Sequence, residues 1–435
     1  MKISAFLACG ALLLLPNVLH AAGVTHSCVN PGGSAGCFAT IQAAIDGGTS
    51  PLQIDVAAGV YGPFLVPRGT SVTVSGAGIG ATILDADDGP VAAGITGGRL
   101  ALRGVTVRNA ESGITAGGGG RVTLEDVEVV ACPAKGVLVQ DGARLDARGL
   151  RVSGAVSGLF VWNGSGARVA DSRFTGNTTG VDVDEASVEL TDSRIVRNKI
   201  GVDAVQSKLV IRRSRIAGNE FRGIDLSYRL TNALISESSV LNNGNGPLSH
   251  GVSGQDVGRL RIERSTIAGN PGIGVVTNPR SMAIVASTIA GNDVGILVYR
   301  RIDRRGKLTI DNSTIASNGV GVRCVEDESC GSFAGTIVAD GTISDCEGRI
   351  TTRGYNLIED ASACNVTPLA TDSTGVDPKL GPLTDDGHLT DTRPLLPGSP
   401  AIDAVDGRFC RGTDQRGVRR GRPCDAGAYE TAPAS

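Results

Sequence analysis

A phrase of 21 to 27 residues repeats along the middle of this chain and restricts what the chain can fold into. It reads apolar-x-x-Ser-x-apolar-x-x-Asn, followed by Gly-apolar-x-apolar. Its second apolar residue, the anchor, falls at Val107, Val129, Val152, Phe174, Ile195, Ile216, Val240, Ile267, Ile289 and Ile315. A fixed period of 20 to 50 residues is typical of stacked repeats, in which each unit buries its apolar face against its neighbours. The chain is therefore predicted to form a solenoid.

The residues inside each repeat alternate as they do in β-strands. The segments 181–183 and 188–190 read apolar-polar-apolar, which predicts strands with one buried face. Runs this short, joined by Gly or Asn turns, do not form helices. About 22 residues accommodate three short strands and their turns, and stacking places equivalent strands roughly 4.8 Å apart. The sequence thus predicts an all-β fold, a right-handed parallel β-helix with three short strands per coil and about ten coils.

Two polar residue types recur at fixed distances from the anchors. Asparagine lies three residues after the anchor and serine two residues before it. The asparagines are Asn177, Asn198, Asn219, Asn243, Asn270, Asn292 and Asn318, and the serines are Ser172, Ser193, Ser214, Ser238, Ser265, Ser287 and Ser313. Because stacked asparagine side chains can hydrogen-bond along a column, we interpret these asparagines as structural and not as ligands.

Both ends of such a stack need a cap, because an open coil exposes unpaired strand edges. Residues 40–46 have the pattern of an amphipathic helical turn and are predicted to be a lid within an N-terminal cap at about 38–58. The regular coils are predicted at about 100–325 within a β-helix spanning 22–360. Residues 361–435 are predicted to form a C-terminal segment that carries a disulfide.

Residues 1–21 have the pattern of a Sec-type signal peptide, with Lys2, an apolar stretch from Ile3 to Leu19 and a small residue at Ala21. No later run is apolar for long enough to cross a bilayer. We therefore expect a secreted or cell-surface protein. The net charge of −3 shows no basic surplus, so nucleic acid is not an expected partner. Arginines at 212–215 and 300–305 are interpreted as solvated turns.

Eight of the cysteines after residue 21 are close neighbours in sequence. The predicted disulfides are Cys28–Cys37, Cys324–Cys330, Cys346–Cys364 and Cys410–Cys424. Zinc is the alternative, but the chain has no CxxC pair and its four histidines are scattered. Cys132 is left over and is predicted to be a buried, inert thiol. The bond between Cys410 and Cys424 should hold the turn at 414–417 against the last coils.

Two parts of the sequence resemble known families. Residues 40–46, with Ile54-Asp55-Val56 and Gly59-Val60-Tyr61, resemble the opening of right-handed β-helix proteins of the pectate-lyase-like group. The stretches at 354–357, 377–383, 397–404, 414–417 and 425–430 closely resemble the terminal segment of choice-of-anchor Q proteins. These are exported bacterial β-helix proteins that use various surface anchors and mostly lack an assigned activity. Residues 386–390 replace the Gly-Gly-Pro-Thr stretch that is usual there, so the resemblance does not establish direct anchoring of this chain.

The candidate site lies at outward positions of the strands that begin Gly-apolar-x-apolar. Successive repeats place there Phe160 and Trp162, then Asp182 and Asp184, then Asp203, then Asp225. Sugars are held by aromatic stacking and by hydrogen bonds to carboxylates, so a polysaccharide or cell-surface glycan is the expected partner. Calcium could bridge an acidic glycan at Asp182, Asp184 and Asp203, and no other cofactor is expected.

Three functions are compatible with this pattern. The favoured one is a non-catalytic surface or adhesion-type protein that binds glycans. The second is a polysaccharide lyase or glycoside hydrolase acting on acidic glycans through Asp182, Asp203 and Asp225, since carboxylates on adjacent and alternate coils bracket the separations found in glycosidases. The third is a structural spacer. Catalysis lacks a placed base in this pattern, because Lys199 and Arg222 are expected on turns and no histidine is expected nearby.

Overall fold

The computed structural model describes residues 23–228, 231–278, 280–299, 307–325, 329–385, 387–388, 390–410 and 412–431. The predicted signal peptide, the arginines at 300–305, and positions 386 and 389 lie outside these ranges. No helix within them is long and apolar enough to cross a membrane. The predicted lid is confirmed as helix α1 (Ile41–Gly47), which Thr40 caps by accepting a hydrogen bond from the Ala43 amide at 3.1 Å.

The first coils are irregular, and some of their strands continue around the corners of the coil. They comprise β1 (Thr25–Val29), β2 (Leu52–Val56), β3 (Gly59–Tyr61), β4 (Phe64–Val66), β5 (Ser71–Gly76), β6 (Thr82–Thr96), β7 (Arg99–Gly117) and β8 (Arg121–Val130).

The regular part follows with strands of three to six residues. They are β9 (Lys135–Val139), β10 (Arg144–Arg148), β11 (Arg151–Ser153), β12 (Ser157–Trp162), β13 (Gly166–Ala170), β14 (Arg173–Thr175), β15 (Thr179–Asp184), β16 (Ser187–Thr191), β17 (Arg194–Val196), β18 (Ile200–Val205), β19 (Lys208–Arg212), β20 (Arg215–Ala217), β21 (Arg222–Ser227), β22 (Asn232–Ser236), β23 (Ser239–Leu241), β24 (His250–Gln255), β25 (Arg259–Glu263), β26 (Thr266–Ala268), β27 (Ile273–Asn278), β28 (Ser281–Val285), β29 (Thr288–Ala290), β30 (Val294–Val298), β31 (Lys307–Asp311), β32 (Thr314–Ala316) and β33 (Val320–Cys324).

Strand pairing continues beyond residue 360. The last strands are β34 (Ser329–Ala334), β35 (Ile337–Ala339), β36 (Ser344–Thr352), β37 (Leu357–Ile358), β38 (Cys364–Val366) and β39 (Ser373–Thr374), and a short 3₁₀ helix spans Gly407–Phe409.

Every ladder between these strands is parallel, and from β9 onward each regular strand pairs with the strand three places along the chain. The strands therefore form three faces: face 1 (β10 and every third strand to β34), face 2 (β11 to β35) and face 3 (β9 to β33). This arrangement confirms the predicted parallel β-helix. It has about 13 turns, more than the ten expected, because irregular coils at both ends also pair. We call β10–β21 the early coils and β22–β37 the late coils.

The predicted aliphatic column fills the interior. All ten anchor residues, from Val107 to Ile315, are at most 2% exposed. The asparagine column is confirmed as a continuous ladder: Asn198 donates from Nδ2 to Oδ1 of Asn219 at 3.1 Å, and the same bond recurs between successive asparagines from Asn177 to Asn318. A Cβ at Gly201 would lie 2.4 Å from the Gly223 carbonyl oxygen and 2.8 Å from Nδ2 of Asn219, so the repeated glycine is required where coils approach closely.

The four predicted disulfides are present, at Cys28–Cys37, Cys324–Cys330, Cys346–Cys364 and Cys410–Cys424. Cys132 is a buried free thiol, as predicted. Disulfides are typical of proteins that fold in an oxidising compartment, which is consistent with export.

The described residues of the range 376–431, which we call the C-terminal segment from here on, pack against the outer side of face 2 in the late coils. Gln415 is buried there, accepts a hydrogen bond from Thr288 Oγ1 at 2.6 Å and donates to Thr266 Oγ1 at 2.8 Å. The Ala428 amide donates to Thr314 Oγ1 at 3.0 Å. The turn at 414–417 is therefore held against the late coils, as predicted.

Candidate functional site

The three predicted aspartates stack on the outer side of face 3. Asp182 of β15 pairs in register with Asp203 of β18, and Asp203 pairs with Asp225 of β21. Adjacent coils place their backbones roughly 4.8 Å apart, so the carboxylates form a row along the helix axis. Asp184 lies in the neighbouring column, in register with Trp162 and Val205, and does not join the row.

The first carboxylate of the row has a chain of partners on the preceding coils. Lys135 Nζ donates to Ser157 Oγ at 2.9 Å, and Ser157 Oγ donates to Asp182 Oδ2 at 3.0 Å. Burial raises the pKa of the Asp182 carboxyl, and the Ser157 hydrogen bond and the Lys135 charge only partly offset this effect. Lys135 also lies 4.2 Å from the centre of the Phe160 ring, and so links the aspartate row to the aromatic pair.

The middle carboxylate has the most perturbed acidity of the row. Burial, with the charges of Asp225 and Asp182 on either side, raises the pKa of Asp203 to about 6. Arg222 opposes this shift but does not cancel it. Because like charges on adjacent strands repel, the row favours a proton on its central member.

Two further groups belong to this face, and the sequence prediction missed both. Arg222 was expected on a turn, but it is the first residue of β21 and its guanidinium donates to Asp225. No histidine was expected, but His250 of β24 pairs in register with Arg222. Each residue directly precedes the repeated glycine, so that position in the repeat was the available signal. Lys199 does lie in a turn, before β18.

His250 is nine-tenths buried, and its Nδ1 has no hydrogen-bond partner among the described residues. Burial and the charge of Arg222 lower the pKa of His250, whereas Asp225 acts in the opposite direction. The imidazole is thus held in its neutral form near pH 7, the form that can accept a proton.

The aromatic pair lies where the register predicts. Phe160 and Trp162 point to the outer side of β12, with ring centres 6.3 Å apart and planes within 2° of each other. Trp162 Nε1 donates to Gln140 Oε1 at 3.1 Å, which fixes the orientation of the indole. Phe160 is half-buried and Trp162 is 36% exposed.

Exposed aromatic rings border face 3. Within the described chain, the exposed aromatic side chains are Trp162, Phe221, Tyr228 and Tyr299. Phe221 directly precedes β21, and the other three lie at or just beyond the C-terminal ends of β12, β21 and β30. No other face of the described coils carries a ring exposed to this degree.

The fold agrees with comparisons to known proteins. A family model described as a right-handed β-helix region matches residues 92–240 and 203–343, which together cover more than half of the chain. The chain belongs to this β-helix family. The choice-of-anchor Q resemblance of its terminal segment stays a prediction. Comparison with curated protein sequences found no match.

Several solved structures are similar to this β-helix protein. A variant of the periplasmic alginate epimerase AlgG has a TM-score of 0.50 at 10% identity, over 75% of this chain and 84% of that chain. The A-module of Azotobacter vinelandii mannuronan C-5 epimerase AlgE4 has a TM-score of 0.47 at 17% identity, over 75% and 94%. Pectate lyase Pel9A has a TM-score of 0.43 at 16% identity, over 94% and 98%. At these identities the likeness concerns the fold alone.

The predicted calcium site of the β-helix protein is not preformed. No group of three or more His, Cys, Asp or Glu side chains in the described ranges is arranged to hold a metal ion. Asp182 and Asp203 are adjacent, but Asp184 lies in another column. Calcium at Asp182, Asp184 and Asp203 therefore stays a prediction, and a calcium-dependent rise in melting temperature would support it.

Proposed function

We propose that this protein binds a polysaccharide along face 3, with the sugar chain running parallel to the helix axis. The observation that carries the proposal is the position of the exposed aromatic rings, which border the same face that holds the aspartate row. Rings that stay in contact with water on a solenoid surface provide flat apolar platforms. Sugar rings stack on such platforms through their C–H faces, and their hydroxyl groups then bond to nearby polar side chains.

The spacing of the rings supports a chain that follows the axis. Trp162, Tyr228 and Tyr299 lie at the C-terminal edge of face 3, and each is separated from the next by three coils. Three coils correspond to roughly 14 Å, which is a few saccharide residues. A linear polysaccharide could therefore contact successive platforms, whereas a small ligand would reach only one.

The carboxylates supply the polar half of this surface. Asp182 and Asp203 are partly buried and can accept hydrogen bonds from sugar hydroxyls, and a proton on Asp203 lets it donate as well. Alginate epimerases and pectate lyases share the fold and act on polysaccharides, but the likeness is one of fold. The proposal rests on the residues of face 3 themselves.

Glycan-array binding, followed by titration of the best ligand, tests this assignment. Trp162→Ala should weaken binding about tenfold, the loss expected for one stacking platform, without changing the melting temperature. The matched control is Leu396→Ala, which removes an exposed apolar side chain from the C-terminal segment. Equal affinities of Trp162→Ala and the control would contradict the position of the site. Binding to no glycan at all would favour the structural spacer.

A second candidate function is cleavage of the bound polysaccharide, as a lyase or glycoside hydrolase. The observation that favours it is that face 3 carries both a carboxyl with a pKa of about 6, Asp203, and a neutral imidazole, His250, which lies two coils beyond Asp203. Proton transfer requires one group that can donate a proton and one that can accept it, and a protonated carboxyl and a neutral imidazole can take these roles. The residues in these roles would be Asp203 and His250, with Arg222 and Asp225 between them.

Product analysis separates binding from cleavage. A lyase gives an unsaturated product with ultraviolet absorbance, and a hydrolase gives new reducing ends without it. Asp203→Asn and His250→Gln should each abolish turnover if cleavage occurs, while Trp162→Ala should mainly weaken substrate binding. If the polysaccharide stays intact after prolonged incubation with wild-type protein, cleavage is contradicted and the non-catalytic binding function is supported.

Export to the cell surface belongs to the same proposal. It rests on the predicted signal peptide, on the four disulfides and on the resemblance of the terminal segment to choice-of-anchor Q proteins. Fractionation of the source cells, with detection of the processed N-terminus, tests it. Retention of the unprocessed chain in the cytoplasm would contradict it.

A further inference from the structure

A row of arginines runs along face 2 of the early coils. Arg151 of β11, Arg173 of β14, Arg194 of β17 and Arg215 of β20 pair in register, each with the next. All four point outward and are exposed. With roughly 4.8 Å between coils, the row is about 14 Å long. Arg215 was interpreted from the sequence as part of a solvated turn, but it is the first residue of a strand and ends this row.

Among the described residues, these four arginines lack a paired counter-ion. None of them forms an ion pair or a side-chain hydrogen bond with another described residue. The nearest acidic turn residues are already engaged: Asp171 pairs with Arg148 at 2.8 Å, and Asp192 pairs with Arg213 at 2.8 Å. The guanidinium groups of the row therefore remain available to an external partner.

A row of like charges on adjacent strands destabilises the fold that carries it. An anion bound along the row would relieve this repulsion, and arginine is suited to the task because its planar group binds a carboxylate or sulfate through two parallel hydrogen bonds. An anion with a single charged group would neutralise the arginines of only one or two coils. A polymer whose charged groups recur along its length would compensate all four.

The surroundings of the row favour a single, narrow chain. The neighbouring outward positions are small and uncharged: Ser153, Thr175, Val196 and Ala217. They form a smooth strip beside the arginines, on which a linear chain can lie. The acidic side chains of Asp171 and Asp192 flank the other side and oppose a broad anionic surface such as a membrane or a nucleic-acid duplex.

The row has defined ends. Below Arg151 the same column holds Glu128, and above Arg215 it holds Ser239, which is 5% exposed. Beyond Ser239 the C-terminal segment covers the face through its bonds to Thr266 and Thr288. The arginines thus occupy the part of face 2 that this segment leaves open.

We infer that face 2 of the early coils binds a linear anionic polysaccharide, whose carboxylate or sulfate groups pair with Arg151, Arg173, Arg194 and Arg215. This site is separate from face 3 and does not depend on the function proposed there. A single strand of sugars, with charges repeated at the length of a saccharide residue, matches a one-residue-wide row of cations better than a duplex or a lipid surface.

Titration of polyanions with full-length protein tests the inference. The probes are heparin for sulfate groups, polygalacturonate for carboxylate groups and dextran as a neutral polymer. Wild type should bind at least one anionic probe with an affinity that falls as salt rises, and should not bind dextran through this face. Arg173→Ser with Arg194→Ser should raise Kd about tenfold, because two exposed ion pairs are lost.

The matched control is Arg168→Ser with Arg212→Ser, which removes the same charge from face 1 in neighbouring coils. Its Kd should stay within about twofold of wild type. Equal Kd values for the two double variants would overturn the inference, as would row-dependent binding of an oligonucleotide or anionic vesicles without binding of either anionic glycan. A melting temperature near that of wild type shows that each variant is folded.

Discussion

The early and late coils share one inward pattern and differ on their outer faces. On face 2, the outward position that precedes the anchor is arginine in β14 and β17 and threonine in β26 and β29. On face 3, the column that holds Asp203 in β18 holds Val276 in β27 and Leu297 in β30. The early residues meet water, whereas Thr266, Thr288, Val276 and Leu297 are buried.

This difference separates the residues of the repeat that determine the fold from those that determine whether another segment can cover an outer face. The anchors and the asparagine ladder continue without a break across both halves, so they carry the stacking. Threonine provides one short hydroxyl that a docked segment can bond, and here Gln415 does so. Arginine at the same position carries a charge that a docked segment would bury without a counter-ion, and such an arginine keeps the face open.

The largest expected effect comes from placing a charge on the inner side of a strand instead of its outer side. Ile195→Asp places an unpaired carboxylate in the aliphatic column and should destabilise the fold by about 4 kcal/mol or more. Arg194→Asp, one residue away, should change stability by less than about 0.5 kcal/mol, because position 194 faces water. Thermal unfolding measures both. Equal melting temperatures for Ile195→Asp and wild type would mean that the register is shifted by one residue.

A smaller effect is expected where the C-terminal segment docks on the late coils. Gln415→Ala removes the amide that accepts a hydrogen bond from Thr288 and donates to Thr266 and Thr390. Because these buried hydroxyls lose partners, the free energy of unfolding should fall by about 1–3 kcal/mol. The control in the early coils is Arg173→Ala, which should be nearly neutral. Urea unfolding measures the stability of both variants, and limited proteolysis measures how well residues 376–431 resist cleavage in each. Equal stability and equal protease resistance of the two variants would contradict a docking role for Gln415.

The sequence predicted the features that recur at a fixed period. The anchors, the asparagine ladder, the outward aspartates and the four disulfides follow from local spacing, and the structure places them as expected. Gln415 contacts Thr288 and Thr266, which lie 127 and 149 positions away from it in the sequence, and no local sequence pattern predicts such contacts. His250 was missed because only positions after the repeated glycine were considered as outward, whereas His250 directly precedes Gly251. The arginine row was missed because arginines were considered only as clusters along the sequence, such as the one that includes Arg215, and not across coils.

The smallest expected effect concerns the acidity of the early half of face 3. The pKa of Asp203 is about 6 in the folded protein and 3.8 as its ordinary value, so the folded state holds the proton more tightly than the unfolded chain. The stability from this group is therefore complete below pH 3.8 and is lost as pH rises through 6. Asp203→Asn, which stays neutral, should be more stable than wild type at pH 8 by roughly 1–2 kcal/mol, after allowance for solvent screening, and equal to it at about pH 3. Asp55→Asn on β2 removes an exposed carboxylate and serves as the control. A stability difference between Asp203→Asn and wild type that is the same at both pH values would show that burial and repulsion within the aspartate row do not raise the pKa of its central member.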